Sequence, residues 1–540
     1  MQKIYTKKYL LLIAILIFIF LFSIAIRYYP VFHKGFSHDI NVTDLILARN
    51  LNLSGEYKIV DEKNVVLSSF LVKERGVLSN AGNKLTSILY SKVFNLFGFK
   101  PNLPLYISLL LYALTTILSF LLVLKLFNLK VALIFAGIDI FMPFILAGAI
   151  CPGFYEWAIL FFITAVVIYL WKKNPGGWRL LLSGIFFGLA ALARNAFLIS
   201  FIPFVIYDIY FNIFSKYNWK QIKLWIVPGV KRGLIFALPV ILLCAGFIIH
   251  QGDSSRQVNE YLAQGDIGYD GHLFRDPYTY YFNKDNYIKE IQSTANGETI
   301  SYLKKYNYDI GWKQYLTTYF YSIKYYLNTF FRQPTLGGPL IIFFLILGFI
   351  YLFKARRHLL NLIIFWIVIL FFMLIFVFRT SNWDHFLEIG FPLILLISLG
   401  IYWTLDWLKQ IIKNKKTYYW LTLGVFLVLF LHLIQADKWL FHESYLYSDI
   451  EKKLSLVEAI NKSDLEIGLN DVIAVPDYSL FLNYYTDYNY IYFNPETIKE
   501  LLAKGKLGWA FEQFKVTKIA GYNSDLTPRI IQSTGVGKIN

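Results

Sequence analysis

Tyr9-Leu-Leu-Leu-Ile-Ala-Ile-Leu-Ile-Phe-Ile-Phe-Leu-Phe-Ser-Ile-Ala-Ile26 is followed closely by Gly35-Phe-Ser-His-Asp39-Ile-Asn-Val-Thr-Asp44-Leu-Ile-Leu-Ala-Arg-Asn-Leu51, and the two stretches decide the fold. The first is apolar for long enough to cross a bilayer. Lys3, Lys7 and Lys8 precede it, as in a signal peptide. The run is too long for a signal h-region, however, and no small-x-small cleavage site follows. It reads as an uncleaved helix with a cytoplasmic N-terminus. The second stretch therefore begins at the outer water interface, with two acids at the head of a short amphipathic helix.

Composition extends this reading to the whole chain. Its 540 residues are 57% hydrophobic and 19% aromatic, with 16% charged, where a soluble protein carries about 25% charged residues. The net charge of +17 does not mark a nucleic-acid binder, because the basic residues sit in short loops between apolar runs. That is the pattern of the positive-inside rule. Cys151 and Cys244 are far apart and give neither a disulfide framework nor a metal spacing.

Working outward, residues 30–102 form a first outer loop. Asp39–Leu53 reads as one amphipathic helix, with Gly55 as its stop, and Leu85–Phe97 as a second, closed by Gly98. Such helices commonly lie in the headgroup layer. Further spans follow at Leu103–Leu126, Val131–Ile150, Trp157–Trp171, Leu180–Ala193, Ala196–Phe211 and Gly233–Ile249. After a second outer loop, 250–333, come Leu336–Phe353, Leu359–Phe378, Phe386–Leu405 and Tyr418–Gln435. With about eleven spans, every strongly basic short loop falls on the cytoplasmic side. Residues 1–435 are thus a polytopic α-helical membrane domain. Residues 436–540 read as a small extracytoplasmic α/β domain: a strand at Asp471–Pro476, a helix at Pro495–Lys504 and a strand at Phe514–Gly521.

The outer side offers the parts of a glycosyl transfer from a lipid phosphate. An attacking hydroxyl needs a carboxylate base, and a leaving phosphate needs cations. Asp39 is the first choice of base, with Asp44 and Glu156 behind it. Each also reads as an ordinary interfacial acid or helix cap. Arg194, Arg379 and His385 are the candidate phosphate ligands. Arg194 interrupts an apolar stretch, where an unpaired cation costs roughly 2.5–3.5 kcal/mol; the bland reading is snorkelling to the headgroups. Asp139 sits inside a span and has two readings, functional acid or contact with a neighbouring helix. His33, His38 and Asp39 are close together, as are Asp266, Asp270, His272 and Asp276. Carboxylate and imidazole suit a divalent metal, and His38 and Asp39 are the metal candidates, though no spacing matches a closed structural site.

These features together resemble the class C (GT-C) glycosyltransferases, in particular bacterial members akin to the dolichyl-phosphate-mannose protein mannosyltransferases and the lipid A aminoarabinose transferase. The likeness lies in Asp39, Leu45, Ala48 and Gly55-Glu56-Tyr57, and in Gly184…Gly188-Leu-Ala-Ala-Leu-Ala-Arg194. It extends to Pro152 with Glu156, and to Arg379…His385-Phe386 followed by Pro392. The chain departs from the family at Ile40, where a second acid usually follows the first, and at Ala81–Leu85, where a Lys-Pro-Pro-Leu stretch is usual. The resemblance implies an inverting transfer from a polyprenyl-phosphate sugar on the outer leaflet. In it Asp39 is the base, and Arg194 and Arg379 hold the phosphate. The acceptor is a glycan, a lipid or a protein. Two other readings stay open: a transporter or flippase of lipid-linked glycans, and a glycan ligase or polymerase using a diphosphate lipid.

Overall fold

The computed structural model describes residues 2–36, 42–54, 84–153, 155–172, 175–194, 196–212, 227–245, 320, 323–324, 326–327, 338–373, 375, 383–442, 450–462, 467, 471–476, 479–486, 488–492, 495–503, 505–513 and 516–539. In chain order the helices are α1 (Gln2–Lys34), α2 (Thr43–Ser54), α3 (Lys84–Phe97), α4 (Leu103–Leu126), α5 (Leu129–Phe141), α6 (Pro143–Ala149), α7 (Glu156–Leu170), α8 (Gly177–Ala193) and α9 (Phe197–Asn212). Next come α10 (Val227–Ala245), α11 (Pro339–Ala355), α12 (Arg357–Phe372), a 3-10 helix (Trp383–Ile389), α13 (Gly390–Ile411) and α14 (Lys415–His442). The C-terminal segment runs α15 (Ile450–Lys462), β1 (Val472–Val475), α16 (Ser479–Tyr485), β2 (Asn489–Tyr492), α17 (Pro495–Ala503), α18 (Leu507–Gln513), β3 (Val516–Ile519), α19 (Leu526–Thr534) and β4 (Gly537–Lys538).

Internal contacts divide the chain into two units. Met1–Gly35, Leu105–Phe247 and Tyr321–Tyr447 make the first, and Phe36–Pro104, Ile248–Phe320 and Ser448–Asn540 the second. Among the described residues of the first unit, five helical stretches are long and apolar enough to cross a membrane: Tyr9–His33, Leu103–Leu126, Val227–Ala245, Phe386–Ile411 and Lys415–Lys438. The pair α5 and α6 passes the same test together, and α7, α8, α9, α11 and α12 are shorter apolar helices. Every span read from the sequence falls on one of these. The chain is a polytopic helical membrane protein with a small sheet near its C-terminus.

One span differs from its sequence reading. Val131–Ile150 is not continuous: α5 and α6 meet at Met142 with a bend of 57°. Pro143 has no N–H, so the carbonyl of Asp139, four residues back, loses its helical donor. Arg27 of α1 replaces it: Nη2 donates to Asp139 O at 3.0 Å and to Asp139 Oδ2 at 3.2 Å. Thr116 of α4 donates to the same Oδ2 at 2.5 Å, and Arg27 Nη1 reaches Thr116 and Ser23. Asp139, one of two readings in the sequence, is therefore a helix-to-helix contact, and the break is closed by side chains from two neighbours.

At the far end of α7 a second charged group is satisfied in the same way. Arg232 of α10 grips Asp208 of α9 with a fork, Nε to Oδ2 at 2.5 Å and Nη2 to Oδ1 at 2.9 Å. Tyr169 donates to Oδ1 at 3.0 Å.

Small residues let helices meet backbone to backbone. A Cβ on Gly348 of α11 would strike the carbonyl of Leu396 on α13, and one on Gly400 would strike Phe344 O. Gly400→Ala is expected to lower stability by about 1–3 kcal/mol through forced separation of α11 and α13. Unfolding of purified protein in detergent measures it, and an unchanged midpoint contradicts the contact.

The second unit contains the two loop helices expected from the sequence. Here α2 is enclosed rather than one-sided: Asp44 through Arg49 are all buried, and α2 packs on α3 and α16. The C-terminal sheet is parallel, in the order β2-β1-β3-β4. Its core gathers Val472, Ala474, Val516 and Ile519 from the strands, with Leu501, Phe511 and Ile530 from the helices. Two expected strands and the expected helix match β1, β3 and α17. The sheet also holds two strands beyond those expected from the sequence, the four-residue β2 and the two-residue β4.

Candidate functional site

In the membrane unit two of the candidates, Glu156 and Arg194, meet at Tyr155. The chain leaves α6 through Cys151, Pro152 and Gly153, whose φ of 87° suits glycine alone without strain. Glu156 opens α7 and turns its carboxylate back, accepting from the Gly153 N–H at 2.6 Å and the Tyr155 N–H at 3.2 Å. A carboxylate at a helix N-terminus is favoured by the exposed amides there. Glu156 is 1% exposed, so this carboxylate shapes the turn that presents Tyr155.

Arg194 caps the C-terminal end of α8, and its guanidinium lies 4.8 Å from the centre of the Tyr155 ring. The glycines ahead of it explain its placement. A Cβ on Gly184 would strike Phe236 O, and one on Gly188 would meet the Leu243 side chain at 2.7 Å. Only glycine lets α8 seat this closely on α10. Arg194 is thus a half-buried cation over an aromatic face.

The third arm is Glu388 in the 3-10 helix. Tyr155 Oη donates to Glu388 Oε1 at 3.4 Å. The Glu388 carbonyl accepts from Trp366 Nε1 at 3.1 Å, and the Trp366 ring packs on Phe162 and Phe204 at 5.1 and 5.0 Å. Glu388 is 1% exposed. Sequence reasoning passed over it, although an acid embedded at the head of a span carries the same signal that singled out Asp139. Asp139 and Glu388 also line one small cavity of about 20 Å³, room for a single water. His385 lies three residues earlier in the same 3-10 helix.

The remaining candidates divide. Asp44, in the second unit, is 5% exposed and accepts from Ser87 Oγ of α3 at 3.2 Å. His38, Asp39, Arg379 and the Gly55-Glu56-Tyr57 triplet lie outside the described residues, as do Asp266, Asp270, His272 and Asp276. Among the described residues no three His, Cys, Asp or Glu side chains gather around a cation position.

No protein-family model and no curated protein sequence matches the chain. Solved structures do. The Archaeoglobus fulgidus oligosaccharyltransferase tethered to an acceptor peptide with the NVT sequon aligns with a TM-score of 0.53 at 14% identity, over 93% of this chain and 68% of that one. The fold is that of the GT-C glycosyltransferases. The same archaeal enzyme, AglB, in complex with an inhibitory peptide and a dolichol-phosphate, aligns with a TM-score of 0.51 at 14% identity, over 95% of this chain and 69% of that one. ArnT from Cupriavidus metallidurans bound to undecaprenyl phosphate aligns over 99% of this chain and 90% of its own, with a TM-score of 0.49 and 10% identity. The GT-C fold assignment rests on AglB.

Proposed function

We propose that this protein transfers a sugar from a polyprenyl-phosphate donor to an envelope acceptor at the outer face of the cytoplasmic membrane, with inversion at the anomeric carbon. The observation that carries the reading is a GT-C fold in which Arg194, a cation beside apolar spans, is held over the ring of Tyr155, whose N–H and hydroxyl donate to the buried carboxylates of Glu156 and Glu388. A guanidinium so placed offers a planar fork to a phosphate. The dolichol-phosphate in the AglB complex supports the same class of donor.

In this scheme residues 1–435 are the transferase domain, with outer loops at 30–102 and 250–333, and 436–540 are an outer α/β domain. The acceptor oxygen attacks the anomeric carbon while Asp39 takes its proton. The bond from that carbon to the phosphate oxygen breaks, and the phosphate leaves with the electron pair, its charge met by Arg194, Arg379 and His385. One displacement inverts the centre. Glu156 and Glu388 orient Tyr155, and through it Arg194.

The test is purified protein with a radiolabelled polyprenyl-phosphate sugar, followed by mass spectrometry of envelope glycans with and without the protein. A labelled product and a released monophosphate carrier support the reading. Release of a diphosphate carrier assigns a ligase or polymerase, and flux of intact lipid-linked glycan with no covalent product assigns a flippase. Arg194→Ala is expected to lower kcat/KM about a hundredfold. Arg194→Lys recovers only part, because an ammonium neither stacks on Tyr155 nor forks. Full recovery by lysine would reduce the role of Arg194 to that of a point charge.

A further inference from the structure

The apolar span α4 carries one polar face. Tyr112, Thr115 and Ser119 recur at i, i+3 and i+7, the spacing of a single helix side. All three are buried. All three line the small cavity that Asp139 of α5 and Glu388 of the 3-10 helix also line, and Ile159, Phe162 and Phe391 give it apolar walls.

The packing makes room for the Tyr112 hydroxyl. A Cβ on Gly148 of α6 would strike Tyr112 Oη, so a glycine there leaves the hydroxyl its place. The Tyr112 ring faces Arg27, whose guanidinium lies 5.9 Å from the ring centre. Yet Tyr112 Oη is buried with no hydrogen-bond partner among the described residues. The Asp139 carboxylate accepts from Arg27 and Thr116 on Oδ2 alone. Thr115 Oγ1 donates to Leu111 O at 2.8 Å and keeps its lone pairs. A hydroxyl left unpaired in an apolar interior is costly. A cavity of this size, met by about two to four polar groups, is what an ordered water needs.

We infer that the cavity is a water-binding site whose water donates to Asp139 Oδ1 and the Glu388 carboxylate and accepts from Tyr112 Oη and Ser119 Oγ. The water joins two parts of the membrane unit. On one side stands the repaired break, Arg27 with Asp139 and Thr116. On the other stands Glu388, which accepts from Tyr155 beneath Arg194. The consequence for catalysis rests on the reading of Arg194 as a phosphate ligand. Tyr112 and Ser119 are then positioning residues that act through the water, Glu388 and Tyr155, and neither touches a reacting atom.

The experiment uses the full chain in nanodiscs. Electron cryomicroscopy that shows ordered waters reads the site with no donor present. The expected result is one peak within hydrogen-bonding distance of Tyr112 Oη, Asp139 Oδ1 and a Glu388 oxygen, the same in sodium chloride and in choline chloride. A peak that needs sodium, or a dry cavity in a map that shows other buried waters, overturns the site. Tyr112→Phe gives a second readout, decided by its sign. With water bound, the variant loses a hydrogen bond and its unfolding midpoint falls by about 1–3 °C. With the cavity dry, it sheds an unsatisfied hydroxyl and the midpoint holds or rises, which overturns the site as well. Turnover of the polyprenyl-phosphate sugar tests the link to Arg194. Ser119→Ala is expected to lower kcat/KM about fivefold, and Ser119→Thr, which keeps the hydroxyl, to stay within about twofold of the parent. In an Arg194→Ala background Ser119→Ala adds almost nothing, because it acts through Arg194. Equal losses in both backgrounds, or none in either, overturn that link. No transfer by the parent chain overturns the proposed reaction and leaves the density and the midpoint to judge the water.

Discussion

Arg27→Ala destabilises the membrane unit by about 3–5 kcal/mol, the loss typical of removing one partner from a buried ion pair. The size follows from what is left behind. Asp139 would keep a carboxylate in the apolar interior with only Thr116 to satisfy it. The Asp139 carbonyl would lose its donor a second time, because Pro143 supplies none. Two further variants separate these losses. Asp139→Asn removes the charge while keeping an oxygen for Thr116, and is expected to cost less than Arg27→Ala. Adding Pro143→Ala to Arg27→Ala restores an N–H four residues after Asp139, and recovers about 1 kcal/mol, the net worth of one hydrogen bond. Denaturant or thermal unfolding of the purified protein reads all three. A midpoint for Arg27→Ala equal to that of the parent would sink the account of the broken span.

With Asp39 as the proposed base, Asp39→Asn is expected to lower kcat about 100- to 10,000-fold, the range contributed by a positioned general base. Asparagine keeps the shape and the hydrogen-bonding oxygen but cannot take the acceptor's proton. Donor KM therefore stays close to that of the parent, since the lost interaction belongs to the transition state. Asp44→Asn serves as the counterpart. Asp44 is buried and accepts from Ser87, so its amide is expected to cost stability between α2 and α3 with little change in kcat. If the two results are reversed, Asp44 takes the place of Asp39 as the base.

The two predictions rest on different kinds of information. Membrane spans are legible in a sequence because each depends only on local apolarity over a fixed length. The loop helices at Thr43–Ser54 and Lys84–Phe97 were legible for the same reason, since periodicity is local. A proline inside Val131–Ile150 was visible too, yet the bend and its repair were not. Whether a missing donor kinks a span depends on what a neighbour supplies, and that neighbour, Arg27, is 112 positions away.

The candidate site shows the same division. Arg194 and Glu156 stood out as ionised groups beside apolar runs, but nothing local said that both would be held by Tyr155. Glu388 carried the local signal of an acid at the head of a span, but not its pairing with Tyr155, 233 positions distant.

By itself, then, the sequence determined a helical membrane protein, the positions of its spans, two helices in the first loop and an α/β tail. Those follow from solvent preference and backbone period, which act over a few residues. The tertiary structure alone decided which acid pairs with which cation, and that Glu156 closes a turn. Such choices depend on side chains brought together across hundreds of positions, and no local pattern encodes them.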